Sequence, residues 1–392
     1  MFILNVVVLL LHYLYETTTL TLTYGDTVKE EMITVNGKFG VLMHVSNVTS
    51  ALFFQLELQL PFSYVSSNVI HRATLTHAMS CSYGDVVIDN VTTSYEELSD
   101  SVRLYKNNYI ILNQFDFYYL NNNIHKYNAI SLSVNSLQHG NSIINHLYNS
   151  NYINNKHFHL CGGAIYFGNI DHTCIVNKHK TTLISNGNSA YWSSIMNKVD
   201  IGGNVMCVNE KGSVVYFKGN DYVISVPKKV YDVIERDVIK EFVDVKMCNV
   251  GYDVKENRKY YSCATSVREK MKRIRFGIGG YWFDMGSKEL FWEDGSEIFK
   301  RFVIVENGNE RDMSFTMGTQ FLKQYVVLFE YNNGDKGKDN LIHFYSEYQL
   351  TRYGGNSNSN SNSSKLKYHL IIIIICILLL MNILLLIIKL NV

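Results

Sequence analysis

The sequence predicts a mainly β protein of two lobes with a few short helices and one C-terminal transmembrane helix. Three observations carry this. Between Gly37 and Tyr353 apolar residues recur mostly at every second position, as in Gln55 to Leu60, or in short β-type runs such as AIYFG at 164–168 and FVIV at 302–305. Helical spacing is confined to short stretches. From Leu370 to Ile388 nineteen residues pass without a charge, interrupted only by Asn382, and at 1.5 Å per residue they span about 28 Å, close to the thickness of a bilayer core.

Taken in order, Phe2 to Leu14 is an apolar stretch of signal-peptide length. It lacks a preceding basic residue and a clear small-residue cleavage site, so residues 1–18 read as a signal peptide or an uncleaved N-terminal apolar segment. Either reading places the middle of the chain outside the cytoplasm, in the ER lumen, a secretory organelle or at the cell surface. Residues 19–175 are expected to form an N-terminal β lobe and 176–353 a C-terminal β lobe. Helices are expected at Val230, Val233, Ile234, Val238 and Ile239 after Pro227, and more weakly at Ser142 to Tyr148 and Thr319 to Tyr325. Residues 354–367, opening GGNSNSNSNSS, are a polar low-complexity stalk that cannot bury apolar area. The helix of 370–388 then holds the domain at a membrane. Small residues, a spacer and an apolar tail also resemble a lipid-anchor signal, but Lys389 to Val392 beyond the tail suit a retained span better.

Composition narrows the function classes. The chain has 392 residues, 47% apolar, and a formal charge of +1, enough for one large core or two moderate ones. Basic residues are interspersed with acids, which excludes nucleic acid as the expected partner. Cys376 falls in the apolar tail, leaving Cys81, Cys161, Cys174, Cys207, Cys248 and Cys263, an even set with fifteen possible pairings in an oxidising compartment. Asn47, Asn90 and Asn362 begin N-x-S/T triplets and are candidate glycosylation sites there. His157, His159 and Cys161 alternate on one strand face with His172 and Cys174 following. That spacing matches no established zinc site, and Cys161 with Cys174 reads as readily as a hairpin disulfide; no metal or other cofactor is expected. GIGG at 277–280 has no following helix and reads as a strand turn.

Four segments, in order and spacing, resemble the pepsin-like aspartic peptidases, a family of two similar β lobes with a cleft between them. MSFTMGTQFLKQYVVLFE at 313–330 is similar to the family's late motif through Gly318, Phe321, Leu322, Tyr325, Phe329 and Glu330. HFHLCGGAIYFGNID at 157–171 is similar to the strand and Gly-Gly hairpin before the second lobe. YWSSIMNKVDIGGN at 191–204 with VVYFKGNDYVISVPKKVYDVI at 214–234 resembles the second catalytic loop and the helix behind it. Cys248 and Cys263, followed by FGIGGYWF at 276–283, are the fourth, and the resemblance favours their pairing. The membrane tail is similar to that of the membrane-anchored plasmepsins of apicomplexan parasites. The first lobe matches only by pattern, with SYEELSDSVRL at 94–104 as a shortened flap.

The family's chemistry needs two carboxylates sharing one proton, one acting as base on water and the other as acid on the carbonyl. Laid on the family, the first acid-bearing turn falls at LQLPFS, 58–63, with Gln59 or a neighbour replacing the acid. The second falls on Phe217, Lys218 and Gly219, where the glycine is kept and the acid is Phe or Lys. Both acids are absent on this reading, so no catalytic residue is expected. The rescue candidates are Asp221 and Glu57, whose plain readings are a loop acid and a water-exposed strand-face acid. The resemblance thus implies a catalytically inactive protein whose cleft binds a peptide or protein. The alternatives are an active aspartic endopeptidase with unrecognised acids, and a surface antigen or adhesin using the fold as scaffold.

Overall fold

The computed structural model describes residues 27–353 apart from 47, 76–77, 89–90, 105–109, 122–124, 135–141, 187–190, 254–257, 293–297, 309–311 and 333–338. The N-terminal apolar segment, the stalk, the 370–388 run with Cys376, and the candidate glycosylation sites Asn47, Asn90 and Asn362 lie outside the described residues. Among the described residues no helix is long and apolar enough to cross a membrane. One unit extends to Thr351; of the second, which begins at Arg352, only Arg352 and Tyr353 are described.

The first lobe runs β1 (Thr27–Val35), β2 (Lys38–Val45), β3 (Leu52–Glu57), β4 (Tyr64–Ser66), β5 (Met79–Ile88), β6 (Val91–Leu104), β7 (Ile111–Leu120), β8 (Asn128–Ser131) and helix α1 (Ile143–Asn149). There follow β9 (His157–Cys161), β10 (Ala164–Gly168), α2 (His172–Ile175) and β11 (His179–Ile184). The second lobe opens with β12 (Ser193–Ile201), β13 (Asn204–Cys207), β14 (Ser213–Phe217) and β15 (Ile224–Val226). Next come α3 (Lys228–Ile234), a π-helical turn (Glu235–Ile239), α4 (Lys240–Asp244), β16 (Cys248–Asp253) and β17 (Arg258–Ala264). The chain then forms β18 (Ile274–Ile278), β19 (Tyr281–Met285), β20 (Phe291–Trp292), β21 (Phe299–Phe302), β22 (Ile304–Glu306) and β23 (Phe315–Met317). It closes with α5 (Thr319–Leu322), β24 (Val326–Glu330) and β25 (Leu341–Ser346).

Local chemistry explains the short helices. Ser142 caps α1 by accepting the Asn145 N–H on its hydroxyl, and Pro227 precedes α3, where its missing N–H costs nothing. Val230, Ile234, Val238 and Ile239 are buried as their spacing predicts, and Val233 is half-buried. The π-helical turn inserted after Ile234 adds the residue that keeps Val238 and Ile239 facing inward.

A central layer joins the halves, in strand order β11-β25-β24-β9-β10-β1, and continues through β2 into the first-lobe sheet β3-β8-β4-β7-β6-β5. The second lobe has its own sheet, β19-β18-β12-β14-β23-β15-β22, with β16-β17-β21-β20 beside it. AIYFG of β10 is buried along its full length, as a strand covered on both faces must be. The segment 94–104 is most of β6, fourteen residues long, the return strand of a hairpin paired with β5 from Met79↔Ser99 to Ile88↔Val91, so it belongs to a long hairpin and not to a shortened one.

Cys161 bonds Cys174, and Cys248 bonds Cys263, directly opposite each other on β16 and β17. Cys81 and Cys207 are exposed and free, so the even set pairs only in part. The Cys248–Cys263 bridge closes a loop with a sequence separation of 15. Its removal in the double serine variant is expected to cost about 3 kcal/mol by the chain-entropy relation. Urea titration of the two proteins checks this, and equal midpoints would refute it.

Candidate functional site

The site is built from two copies of one strand arrangement. In the first lobe β3 runs parallel to β8, while β4 is antiparallel to β8 and parallel to β7. In the second, β14 runs parallel to β23, while β15 is antiparallel to β23 and parallel to β22. The two match strand for strand. Glu57, the last residue of β3 beside Ser131, therefore corresponds to Phe217, the last residue of β14 beside Met317.

The turns leaving these strands approach each other closely. A Cβ on Gly219 would sit 2.8 Å from the Leu56 carbonyl oxygen, so only glycine permits the contact between second-lobe turn and first-lobe strand. The Gly219 carbonyl accepts the Phe39 N–H at 2.9 Å, and Lys38 Nζ donates to the Asn220 carbonyl at 2.5 Å. Both bonds tie the turn to β2.

Glu57 lies at this meeting point and is only 2% exposed. Its Oε1 accepts the backbone N–H groups of Gln59 (2.8 Å) and Leu60 (3.4 Å), and its Oε2 accepts Asn220 Nδ2 at 2.5 Å. The expectation of a water-exposed strand-face acid is corrected: β3 is covered on both faces near its end, and Gln55, Leu56, Glu57 and Leu58 are all buried. Gln59 is likewise displaced from its expected place. It lies two residues past the strand end, in the turn, where its backbone N–H serves Glu57.

The other predicted positions separate. Phe217 is fully buried, with ring centroids 5.6 Å from Phe344 and 6.3 Å from Phe321. Lys218 is half-buried and donates its backbone N–H to the Met317 carbonyl. Asp221 accepts the Val223 N–H at 3.3 Å and pairs with Arg258 at 3.4 Å. Its carboxylate is thus engaged by Arg258 while that of Glu57 is engaged by Asn220. Beside Asp221, Tyr222 stacks on Trp292 at 4.4 Å and receives a hydrogen bond from Arg301 at 2.8 Å. Burial pushes the Tyr222 phenol pKa up, against the opposing pull of Arg301, so it stays protonated.

The sequence reading missed Asn220. Its signal was available, since it stands directly after the one glycine kept from the expected second turn. The consequence is chemical: an amide nitrogen can donate to a carboxylate but cannot share a proton with it as a second carboxyl group would. The buried Asn220 Oδ1 has no hydrogen-bond partner among the described residues.

Above Glu57 the chain forms an aromatic wall. Phe62 stacks on Tyr118 at 4.6 Å, and Tyr118 on Tyr95 at 4.0 Å and 5°. Val86 and Ile88, at the distal end of the β5–β6 hairpin, join Leu60, Phe62 and Tyr64 in the same apolar cluster. The hairpin therefore packs onto the loop that leaves Glu57. Burial raises the Tyr118 phenol to about 12, so this ring stays uncharged.

Comparison with known proteins agrees with this architecture. The family model described as eukaryotic aspartyl protease matches residues 117–337, more than half of the chain, and the chain belongs to that family. Among solved structures, the aspartic proteinase from Irpex lacteus superposes with a TM-score of 0.59 at 12% identity, covering 86% of this chain and 100% of that one. At that identity the likeness shows the fold. Comparison with curated protein sequences returns no match.

Proposed function

We propose that this protein is a membrane-held, catalytically inactive member of the aspartyl protease family that binds an extended peptide or protein segment in its cleft. The observation that carries the proposal is the unequal pair of strand ends: Glu57 in one lobe, with Phe217 in the core at the matching position of the other. A lone carboxylate hydrogen-bonded to an amide has no partner of suitable acidity to protonate the carbonyl while it activates water. Loss of one general acid or base typically removes ~10² to 10⁴ in rate. Strand-type hydrogen bonding of a peptide does not need the acids. The uncharged run of 370–388 supports attachment to a membrane, and the two disulfides support an oxidising, extracytoplasmic location.

One observation favours a competing reading, an endopeptidase acting through Glu57: this carboxylate is buried at the end of the strand where the two turns meet. Incubating purified protein with a mixed peptide library from about pH 3 to 7 separates the two, that span bracketing carboxylate titration. No cleavage above the Glu57→Gln background is expected. Turnover abolished by E57Q and by a statine-type inhibitor would overturn the inactive reading.

A further inference from the structure

The central sheet carries an unusual row of side chains on one face. Across β11, β25, β24, β9, β10 and β1 the register aligns Thr182, His343, Leu328, His159, Tyr166 and Lys29. His159 is fully buried and stacks on Tyr166, centroids 4.5 Å apart and rings 9° from parallel. Its Nε2 accepts the backbone N–H of Asp171 at 3.3 Å, which fixes the neutral imidazole with its proton on Nδ1. Asp171 in turn caps α2, its carboxylate accepting the N–H and hydroxyl of Thr173. The segment that follows is a cover. Ile170, Cys174 and Ile175 pack on Ala164, Tyr166, Val326, Leu328 and Tyr345, an apolar cluster separate from the main core.

We propose that His159 is an acid-operated latch, in which a proton taken up at Nε2 expels the segment 169–175 and uncovers the apolar face of the central sheet. The reason is geometric. Once Nε2 carries a proton it is a donor, and it then faces the Asp171 N–H, another donor, at hydrogen-bond distance. One of the two must move. The imidazole is held by the sheet and its stacking partner, whereas Asp171 belongs to a short connection. The Cys161–Cys174 bridge tethers the far end, so the segment swings out and returns without being lost.

The surrounding charges support the direction. Asp171, from the covering segment, favours a charged imidazole, and His157 on the same strand opposes it; burial outweighs both and pulls His159 down to about 4. Further along, His343 bonds Glu330 at 2.7 Å and Thr182 at 2.9 Å, with His157 and Lys180 near Glu330, while Lys29 lies over the Tyr166 ring at 5.3 Å. Because the latched value lies below the ordinary one, the closed form is fully favoured above the ordinary histidine pKa and weakens as pH falls toward the latched value.

Hydrogen exchange on the full-length chain in detergent tests this. From about pH 6.5 to 4.5, after correction for intrinsic rates, a peptide spanning 168–176 should lose about thirtyfold in protection, while one spanning 274–285 keeps its own. In H159Q, whose side-chain oxygen still accepts from Asp171 but does not titrate, the loss should fall below about threefold. An equal loss in H159Q, no loss in the wild type, or loss in both peptides together would overturn the latch. If H159Q does not fold, the wild type decides alone: by ¹⁵N NMR, Nε2 of His159 must change from acceptor to protonated over the pH interval in which protection is lost, and a change outside that interval refutes it.

Discussion

Trp192→Ala should lower the stability of the body by about 4 kcal/mol, within the range found for truncating a buried tryptophan. Trp192 is fully buried just before β12, where three parts of the molecule meet. Its indole Nε1–H donates to the Leu132 carbonyl of the first lobe at 2.7 Å. Its ring meets Phe158 and Phe329 edge-on at 6.0 and 5.1 Å, and these two stack on each other at 4.7 Å across β9 and β24. Its own carbonyl accepts the Phe217 N–H. Alanine removes the ring contacts and leaves the Leu132 carbonyl without its donor. Trp192→Phe, which restores most of the volume but not the hydrogen bond, should cost about half as much. Urea midpoints measure both, and a loss under about 1.5 kcal/mol for alanine would show that the junction repacks freely.

Glu57→Ala should cost about 3 kcal/mol, and the origin differs. Here a buried acceptor disappears, and the N–H groups of Gln59 and Leu60 and the Asn220 amide lose their common partner. Each buried polar group left without a partner costs about 1–3 kcal/mol, offset in part by not having to bury a carboxylate. Glu57→Gln keeps one oxygen for the turn and should cost less than half as much. If E57A and E57Q prove equally stable, the carboxylate is not what holds the two turns together.

The parts of the fold that local chemistry dictates were legible. Ser142 before an apolar helical pattern, Pro227 before another, and the glycine pairs 162–163 and 279–280 at their hairpins all behave as their residue types require. The Gly-Gly hairpins take positive φ at both positions. The site was harder to read, for a physical reason. Alternation of polar and apolar residues in Gln55 to Leu60 suggests a strand with one wet face, but β3 is enclosed on both sides. Gln55 reaches the Tyr64 hydroxyl instead of solvent, and Glu57 reaches Asn220, a partner 163 residues away in sequence. No local pattern encodes such a pairing. Laid on the family by pattern alone, the expected turn fell at 58–63, whereas the matching strand ends place it at Glu57, a relation visible only once β8 and β23 are seen beside their partners.

The position of β25 between β11 and β24 bears on how this protein is made. Residues 341–346 are among the last of the body to be synthesised, yet they fill an interior slot in the layer shared by both halves. Until they emerge, β11 and β24 each present an open edge to the crowded surroundings of a nascent chain, the condition under which strands pair with the wrong neighbour. A polypeptide halted before Leu341 would keep both edges bare, so premature termination should yield insoluble material and not a shortened, working lobe.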